Sequence, residues 1–154
     1  MIYLLDASVL IALGDANHPH NTAALRFMQE CASKVGWATC PLTENAFVRI
    51  LGQRRIDGIA TSPSEVRKTL QTIIATPGHQ FWSDDISLMD TRLFPTLPAS
   101  KDLTDIYLLA LAMKHGGRWA TFDRRIKPDV LPGGPAGYYQ VMKDEILEQE
   151  APPS

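Results

Sequence analysis

The N-terminal stretch MIYLLDASVLIALG, residues 1–14, decides the fold. Residues 1–5 form an uninterrupted apolar run of strand length that ends at Asp6, which is typical of a strand buried on both faces of a parallel sheet. The apolar residues 9–13 follow at once and favour a helix that Ser8 can cap and Gly14 can end. A strand that passes directly into a helix predicts a βα unit with a carboxylate at the carboxyl end of the strand.

Short apolar runs continue to alternate with helical patterns along the chain. Ser62-Pro63-Ser64-Glu65 has the form of a capping box and predicts the start of a helix that ends before Pro77. Thr104 is expected to cap a helix over residues 105–115. Two other helices are predicted over residues 22–32 and 42–51, and Leu25 and Met28 of the first are expected to face inward. The other predicted strands cover residues 37–40, 79–82 and 119–122. This order predicts an α/β fold, a three-layer α/β/α sandwich with a mostly parallel central sheet.

Length and composition are those of one globular domain. The chain has 154 residues, of which 45% are hydrophobic and 21% charged, so we expect a single domain over residues 1–150 and a frayed tail at residues 151–154. With 15 basic and 17 acidic residues, the chain lacks the overall positive charge that dominates binding to a phosphate backbone. We find no apolar run of membrane-spanning length and no secretory signal pattern, and we interpret Cys31 and Cys40 as reduced, buried residues of a cytoplasmic protein.

Four carboxylates stand where ligand sites form in such folds, beyond the carboxyl ends of the strands. Asp6 and Asp123 directly follow predicted strands, whereas Glu44 and Asp105 fall in the first turns of predicted helices, whose N-termini are expected to keep both ionised. Carboxylates that share one cleft repel each other, and a divalent cation removes that conflict. Oxygen ligands without suitably spaced Cys or His favour Mg²⁺ or Mn²⁺ over zinc.

A divalent metal site of this kind is suited to in-line displacement at phosphorus. One metal ion generates hydroxide, and a second, about 3.5–4 Å away, stabilises the leaving oxygen. The predicted substrate is therefore a phosphodiester. No GxxxxGK or GxGxxG motif indicates a nucleotide site, and Ser8 stands where a haloacid-type DxD motif has its second Asp.

Other polar residues near the four acids allow two interpretations each. Four hydroxyl side chains could orient the acids or could serve only as caps and strand residues: Ser8, Thr43, Thr104 and Thr121. Two basic groups could bind RNA phosphates or could form an ordinary solvated face: Arg49, Arg54 and Arg55, and Arg124, Arg125 and Lys127. We interpret His18 and His20 as surface-loop residues, and the aromatic residues of the strand patterns as core: Trp37, Phe81, Trp82 and Trp119.

Four stretches of the chain, in their order and spacing, resemble the PIN-domain family: IYLLDASVLIAL at 2–13, PLTENAF at 41–47, LTDIYLLALA at 103–112 and WATFD at 119–123. The stretch HQFW at 79–82 further resembles the VapC-like toxins of type II toxin–antitoxin systems. Each motif alone has low specificity, but four in register extend over nearly the whole chain.

The resemblance implies a Mg²⁺-dependent endoribonuclease that forms a homodimer and is inhibited by a VapB-like antitoxin. By position, the metal-binding and catalytic acids would be Asp6, Glu44, Asp105 and Asp123. Asp102 precedes Asp105 by three residues and shares its helical face if the helix starts early, but Asp105 follows Thr104 in the family-like Thr-Asp pair. The alternative function is a catalytically silent PIN fold that binds RNA or protein.

The antitoxin is expected to contribute a helix that binds an apolar groove of the toxin. We predict this groove on the early helices, around Val9, Leu13, Leu25 and Met28.

Overall fold

Five parallel strands form the central sheet of the computed structural model, which describes residues 1–56 and 59–143. The strands are β1 (Tyr3–Leu5), β2 (Trp37–Thr39), β5 (His79–Phe81), β6 (Arg118–Thr121) and β7 (Tyr139–Val141), in the order β5-β2-β1-β6-β7. Two further short strands, β3 (Arg55–Ile56) and β4 (Ile59–Ala60), pair antiparallel outside this sheet. The tail predicted to fray, residues 151–154, lies outside the described residues.

Helices connect these strands. They are α1 (Ala7–Gly14), α2 (Asn21–Phe27), α3 (Ser33–Val35), α4 (Pro41–Leu51), α5 (Pro63–Ile74) and α6 (Leu103–Lys114), and a π-helical turn at Met28–Ala32 joins α2 to α3. The predicted cap of α5 is confirmed, because the Ser62 side chain accepts a hydrogen bond from the Glu65 backbone N–H at 3.3 Å. None of the helices in the described ranges has the length and apolar character needed to cross a lipid bilayer.

Alternate residues of the central strands face opposite sides of the sheet and build two cores. Leu5, Trp37 and Ala120 pack with apolar residues of α1, α2, α4 and α5. Leu4, Ala38 and Trp119 pack on the other side with α6 and with Trp82, Phe94 and Leu131. The predicted three-layer α/β/α sandwich is confirmed, and its sheet is parallel throughout.

Two predicted helix caps are wrong. Asp6, not Ser8, is the N-cap of α1, and its carboxylate accepts a hydrogen bond from the Ser8 N–H. Asp and Ser are equally good caps, so the helix begins at the earlier of the two residues. Helix α6 begins at Leu103, and Asp102, the last residue of a 3₁₀ turn at Ser100–Asp102, is its N-cap. Thr104, the predicted cap, is instead an exposed residue of the first turn.

Two residues predicted to face inward are exposed. Leu25 is 43% exposed although Ala24 and Met28 are buried, because it lies about 100° around the helix from Ala24 and about 60° from Met28, to one side of the face that they share. Phe81 is 57% exposed because β5 is an edge strand with β2 as its neighbour in the sheet. Trp37, Trp82 and Trp119 are buried, as predicted.

Candidate functional site

The site forms where the strand order of the sheet reverses. Strands β1 and β6 are neighbours, but the chain continues from β1 toward β2 on one side and from β6 toward β7 on the other. Such a reversal opens a crevice beyond the carboxyl ends of the two strands, which is where open α/β sheets bind ligands. Asp6 follows β1, and Asp123 lies two residues beyond the end of β6.

Asp6 is buried and held by hydroxyl groups. Its Oδ2 accepts hydrogen bonds from the Ser8 N–H at 3.2 Å, from Ser8 Oγ at 2.6 Å and from Thr121 Oγ1 at 3.1 Å. Burial raises the pKa of Asp6, and the hydrogen bonds from Ser8 and Thr121 act in the opposite direction. Hydrogen bonds of this kind fix the orientation of a carboxylate before any cation reaches it.

The same two hydroxyls join the ends of β1 and β6. Ser8 Oγ also accepts a hydrogen bond from the Phe122 N–H at 3.3 Å, and Thr121 Oγ1 accepts one from the Asp123 N–H at 3.1 Å. Ser8 and Thr121 therefore hydrogen-bond to one of the predicted acids, Asp6. Of the two interpretations that the sequence allowed for these hydroxyls, this contact favours the orienting one. Thr43 instead accepts from the Cys40 N–H and donates to the Cys40 carbonyl, so it caps α4.

Asp105 lies in the first turn of α6, and its pKa is strongly raised. Burial, together with the charges of Asp6, Asp123 and Asp102, raises its pKa to about 7, and the nearby charge of Arg125 only partly opposes this. The expectation that the helix N-terminus keeps Asp105 ionised is wrong, because a helix dipole contributes only about 0.3–1 kcal/mol at such positions. The crevice thus brings carboxylates close enough to repel each other, and Arg125 offsets this repulsion only in part.

Asp123 lies at the rim of the crevice. Its Oδ1 accepts from the Arg125 N–H at 2.9 Å and from Arg125 Nε at 3.2 Å. The backbone hydrogen bond from Arg125 is the main reason that the pKa of Asp123 is lowered. Arg125, predicted as a phosphate contact, is therefore paired with an acid here, but its side chain is 89% exposed. An exposed ion pair of this kind contributes little stability and is readily exchanged for another partner.

A basic cavity adjoins this rim. It has a volume of about 410 Å³ and is lined by Lys101, Asp102, Asp123, Arg125 and Lys127. Lys101 was not among the predicted basic groups, because it lies in the turn before α6 and joins the other cations only in the folded chain. Three cations therefore stand directly beside the acids of the crevice.

Glu44 is held by a different set of contacts. Its Oε2 accepts a hydrogen bond from Thr39 Oγ1 at 2.7 Å, and Thr39 Oγ1 lies 2.8 Å from His79 Nε2. Burial lowers the pKa of His79, although the charge of Glu44 acts in the opposite direction. Sequence reasoning missed both Thr39 and His79, since these residues are 40 positions apart. The one available signal was their position at the end of β2 and the start of β5.

Within residues 1–56 and 59–143, no three acidic, histidine or cysteine side chains are arranged as a ready metal-binding group. Asp6, Asp105 and Asp123 interact electrostatically across the crevice, and the metal-ligand role of all four acids, Glu44 included, stays a prediction. The donors at the crevice are carboxylate oxygens, which fit a hard divalent cation better than zinc.

The family model for the PIN domain matches residues 3–128. This chain belongs to the PIN-domain family. Among curated PIN-domain relatives, Ribonuclease VapC39 of Mycobacterium tuberculosis is 38% identical over 135 residues, which cover 86% of this chain and 96% of the relative. Ribonuclease VapC44 of the same species is 37% identical and covers 84% of this chain and 92% of the relative. The resemblance to VapC-like PIN domains is confirmed.

A solved structure shows the same PIN fold. The crystal structure of Mycobacterium tuberculosis VapC20, described as a sarcin–ricin loop cleaving toxin, matches with a TM-score of 0.55 and covers 74% of this chain and 83% of that one. Sequence identity is 14%, so this match supports the PIN fold alone.

Proposed function

We propose that this VapC-type PIN domain is a Mg²⁺-dependent endoribonuclease, the toxin of a type II toxin–antitoxin pair that acts on cytoplasmic RNA. Its relatives over most of its length are named ribonucleases, and their names support RNA phosphodiester hydrolysis as the reaction. The observation that carries the proposal is the crowding of carboxylates in the crevice. Burial and the charges of Asp6, Asp123 and Asp102 raise the pKa of Asp105 to about 7.

The residues of the crevice fit a divalent cation. Asp6, Asp105 and Asp123 would hold it, and Glu44 is proposed as a further ligand. When bound, Mg²⁺ lowers the pKa of a water to supply hydroxide and stabilises charge on the phosphate oxygens. Mn²⁺ prefers the same oxygen ligands and is expected to replace it.

The chain's own residues then have separate tasks. Ser8 and Thr121 keep the Asp6 carboxylate in one orientation, so little reorganisation is needed when a cation binds. Lys101, Arg125 and Lys127 lie beside the acids and can bind the phosphates that flank the cleaved bond. An RNA phosphate would also pair with the Arg125 guanidinium in place of Asp123, which would free the Asp123 carboxylate.

Purified protein incubated with total RNA tests the reaction. We expect discrete RNA fragments with Mg²⁺ or Mn²⁺ and none with EDTA. RNA that stays intact with both metals would support the alternative, a silent PIN fold that only binds RNA or protein. Fragments that persist in EDTA would exclude the metal mechanism.

The basic cavity predicts a specific salt dependence of RNA binding. Lys127→Ala, measured in EDTA with a single-stranded RNA, is expected to weaken binding and to lower the slope of log affinity against log salt by about 0.7, the value of one lost phosphate contact. Lys68→Ala, at an exposed residue of α5, is the control and should change neither quantity. Equal effects of the two substitutions would contradict an RNA-binding role of the cavity.

An apolar groove supports the antitoxin proposal. A cavity of about 480 Å³ is lined by Leu13, Leu25 and Met28 from the early helices and by Ile73 and Pro77 near the end of α5. Three of the four residues predicted for this groove line it; Val9 is fully buried in the core instead. Exposed apolar surface along helices is what the apolar face of a partner helix covers.

Leu25→Asp is expected to weaken binding of the co-encoded antitoxin by at least about tenfold, since a charge would enter an apolar contact. Met89→Asp changes an exposed apolar residue elsewhere and should leave binding intact. Calorimetry with the purified antitoxin measures both. Unchanged affinity in Leu25→Asp would exclude this groove, and light scattering of the free chain tests the proposed homodimer.

A further inference from the structure

Three polar side chains form one hydrogen-bonded chain on the β2 side of the crevice. Thr39 Oγ1 lies 2.7 Å from Glu44 Oε2 and 2.8 Å from His79 Nε2. Thr39 is fully buried, whereas Glu44 and His79 are half-buried. The three residues come from β2, α4 and β5, so the contact exists only in the folded sheet.

The direction of each hydrogen bond follows from the groups involved. An ionised carboxylate can only accept, so the single proton of the Thr39 hydroxyl is donated to Glu44. That hydroxyl then has only lone pairs to offer His79, and His79 Nε2 must carry the proton between them. The network therefore fixes the tautomer of His79 as well as the position of the Glu44 carboxylate.

The imidazole of His79 is itself held in place. Its ring packs on the ring of Trp37 with centroids 4.7 Å apart, and Trp37 Nε1 donates to the Pro77 carbonyl at 3.1 Å. Trp37 and Thr39 are two residues apart in β2 and share one face of the sheet, where the paired β5 brings His79 beside them. Strands β2 and β5 thus hold a hydrogen-bond donor, the Thr39 hydroxyl, in a fixed position beside the flexible Glu44 side chain of α4.

Glu44 needs such a donor more than the aspartates do. A Glu side chain has one more rotatable bond than Asp, so more conformational entropy is lost when its carboxylate is held in one orientation. Asp6 is held by Ser8, two residues further along the chain, and by Thr121. The Glu44 carboxylate is held by Thr39 of β2 and, through it, by His79 of β5.

We propose that His79 and Thr39 are positioning residues, which hold the Glu44 carboxylate in the orientation that the metal-dependent cleavage requires. This inference rests on the proposed function. His79 acts through Thr39, because its Nε2 proton is donated to the Thr39 hydroxyl.

Paired substitutions separate this role from a purely structural one. Thr39→Val and His79→Leu remove the hydrogen bonds at similar size, whereas Thr39→Ser and His79→Gln keep a hydroxyl and a nitrogen donor. Loss of such an outer partner typically lowers metal affinity or activity by about 10- to 100-fold. We expect Thr39→Val and His79→Leu to weaken Mn²⁺ binding in calorimetry by that factor and to lower kcat rather than raise KM, whereas Thr39→Ser and His79→Gln stay near wild type.

The double variant adds a second criterion. Because His79 acts only through Thr39, Thr39→Val with His79→Leu should be no worse than Thr39→Val alone. Additive losses would overturn the inference, as would Thr39→Val and His79→Leu that bind Mn²⁺ and cleave RNA like wild type.

A measurement on metal-free wild-type protein tests the inference even if the variants fail to fold. In wild type, ¹⁵N NMR of the His79 ring should show the Nε2–H tautomer, and the opposite tautomer would overturn the inference. A wild-type protein that binds no Mn²⁺ and leaves RNA intact with Mg²⁺ refutes the proposed function and with it the role in cleavage. In that case the tautomer still decides whether the hydrogen-bonded chain exists.

Discussion

Replacing Asp6 with Asn is expected to abolish RNA cleavage while the protein stays folded. Asn removes the charge that would hold the cation but keeps an acceptor for the hydrogen bonds from Ser8 and Thr121. Asn is also as good an N-cap as Asp, so α1 should begin at the same residue. Loss of an outer partner of a metal site costs about 10- to 100-fold, and loss of a direct ligand should exceed about 100-fold.

Asp15→Asn is the matched control, because Asp15 flanks the opposite end of the same helix. We expect its cleavage rate to equal that of wild type. Thermal unfolding in EDTA should show Asp6→Asn to be no less stable than wild type, since burial raises the pKa of Asp6 and therefore disfavours its charge. Cleavage by Asp6→Asn at the wild-type rate would eliminate the metal mechanism.

Without divalent cations, the second large effect is a loss of stability as the pH rises from about 4 to about 7. The pKa of Asp105 is raised from 3.8 in its ordinary environment to about 7 in the folded protein. Between these values the folded state binds the proton more tightly than the unfolded state, so the free energy of unfolding falls with rising pH. The slope reaches at most about 1.4 kcal/mol per pH unit for one proton.

Asp105→Asn removes this titration. Urea unfolding in EDTA should give the variant about the stability of wild type near pH 4 and a clear excess at pH 8. Mg²⁺ at pH 8 should stabilise wild type and not Asp105→Asn, because a bound cation removes the repulsion that the carboxylates exert. Asp129→Asn, on an exposed residue, is the control that should follow the wild-type pH profile. Parallel profiles for wild type and Asp105→Asn would show that Asp105 is not perturbed.

Local patterns were enough to predict the sheet and three of the carboxylates. The run at residues 1–5 ends in Asp6, and the strand that ends at Thr121 leads to Asp123, because parallel strands bring their carboxyl ends to one edge. Asp105 could be placed in a first helical turn from the apolar pattern of α6. These positions depend on neighbours in sequence, and the structure places the residues there; the metal-binding role of the carboxylates stays a prediction.

Features that depend on distant pairs could not be predicted. The contact of Thr39 with His79 spans 40 residues, and neither residue has a sequence signal for the other. Strand β7, the fifth strand of the sheet, was not predicted: it follows two 3₁₀ turns, so no helix precedes it to continue the alternation of helices and strands. The raised pKa of Asp105 likewise results from burial and from the charges of Asp6 and Asp123 on two other segments, together with that of nearby Asp102. These effects outweigh the local effect of the helix terminus.

Titration of Mn²⁺ into metal-free protein at pH 8, followed by calorimetry, measures most directly whether the crevice binds a divalent cation. We expect saturable binding by wild type and by Asp15→Asn, and its loss in Asp6→Asn and Asp105→Asn. Wild-type protein that binds no Mn²⁺, or binding that both substitutions leave unchanged, would contradict a metal site formed by these carboxylates.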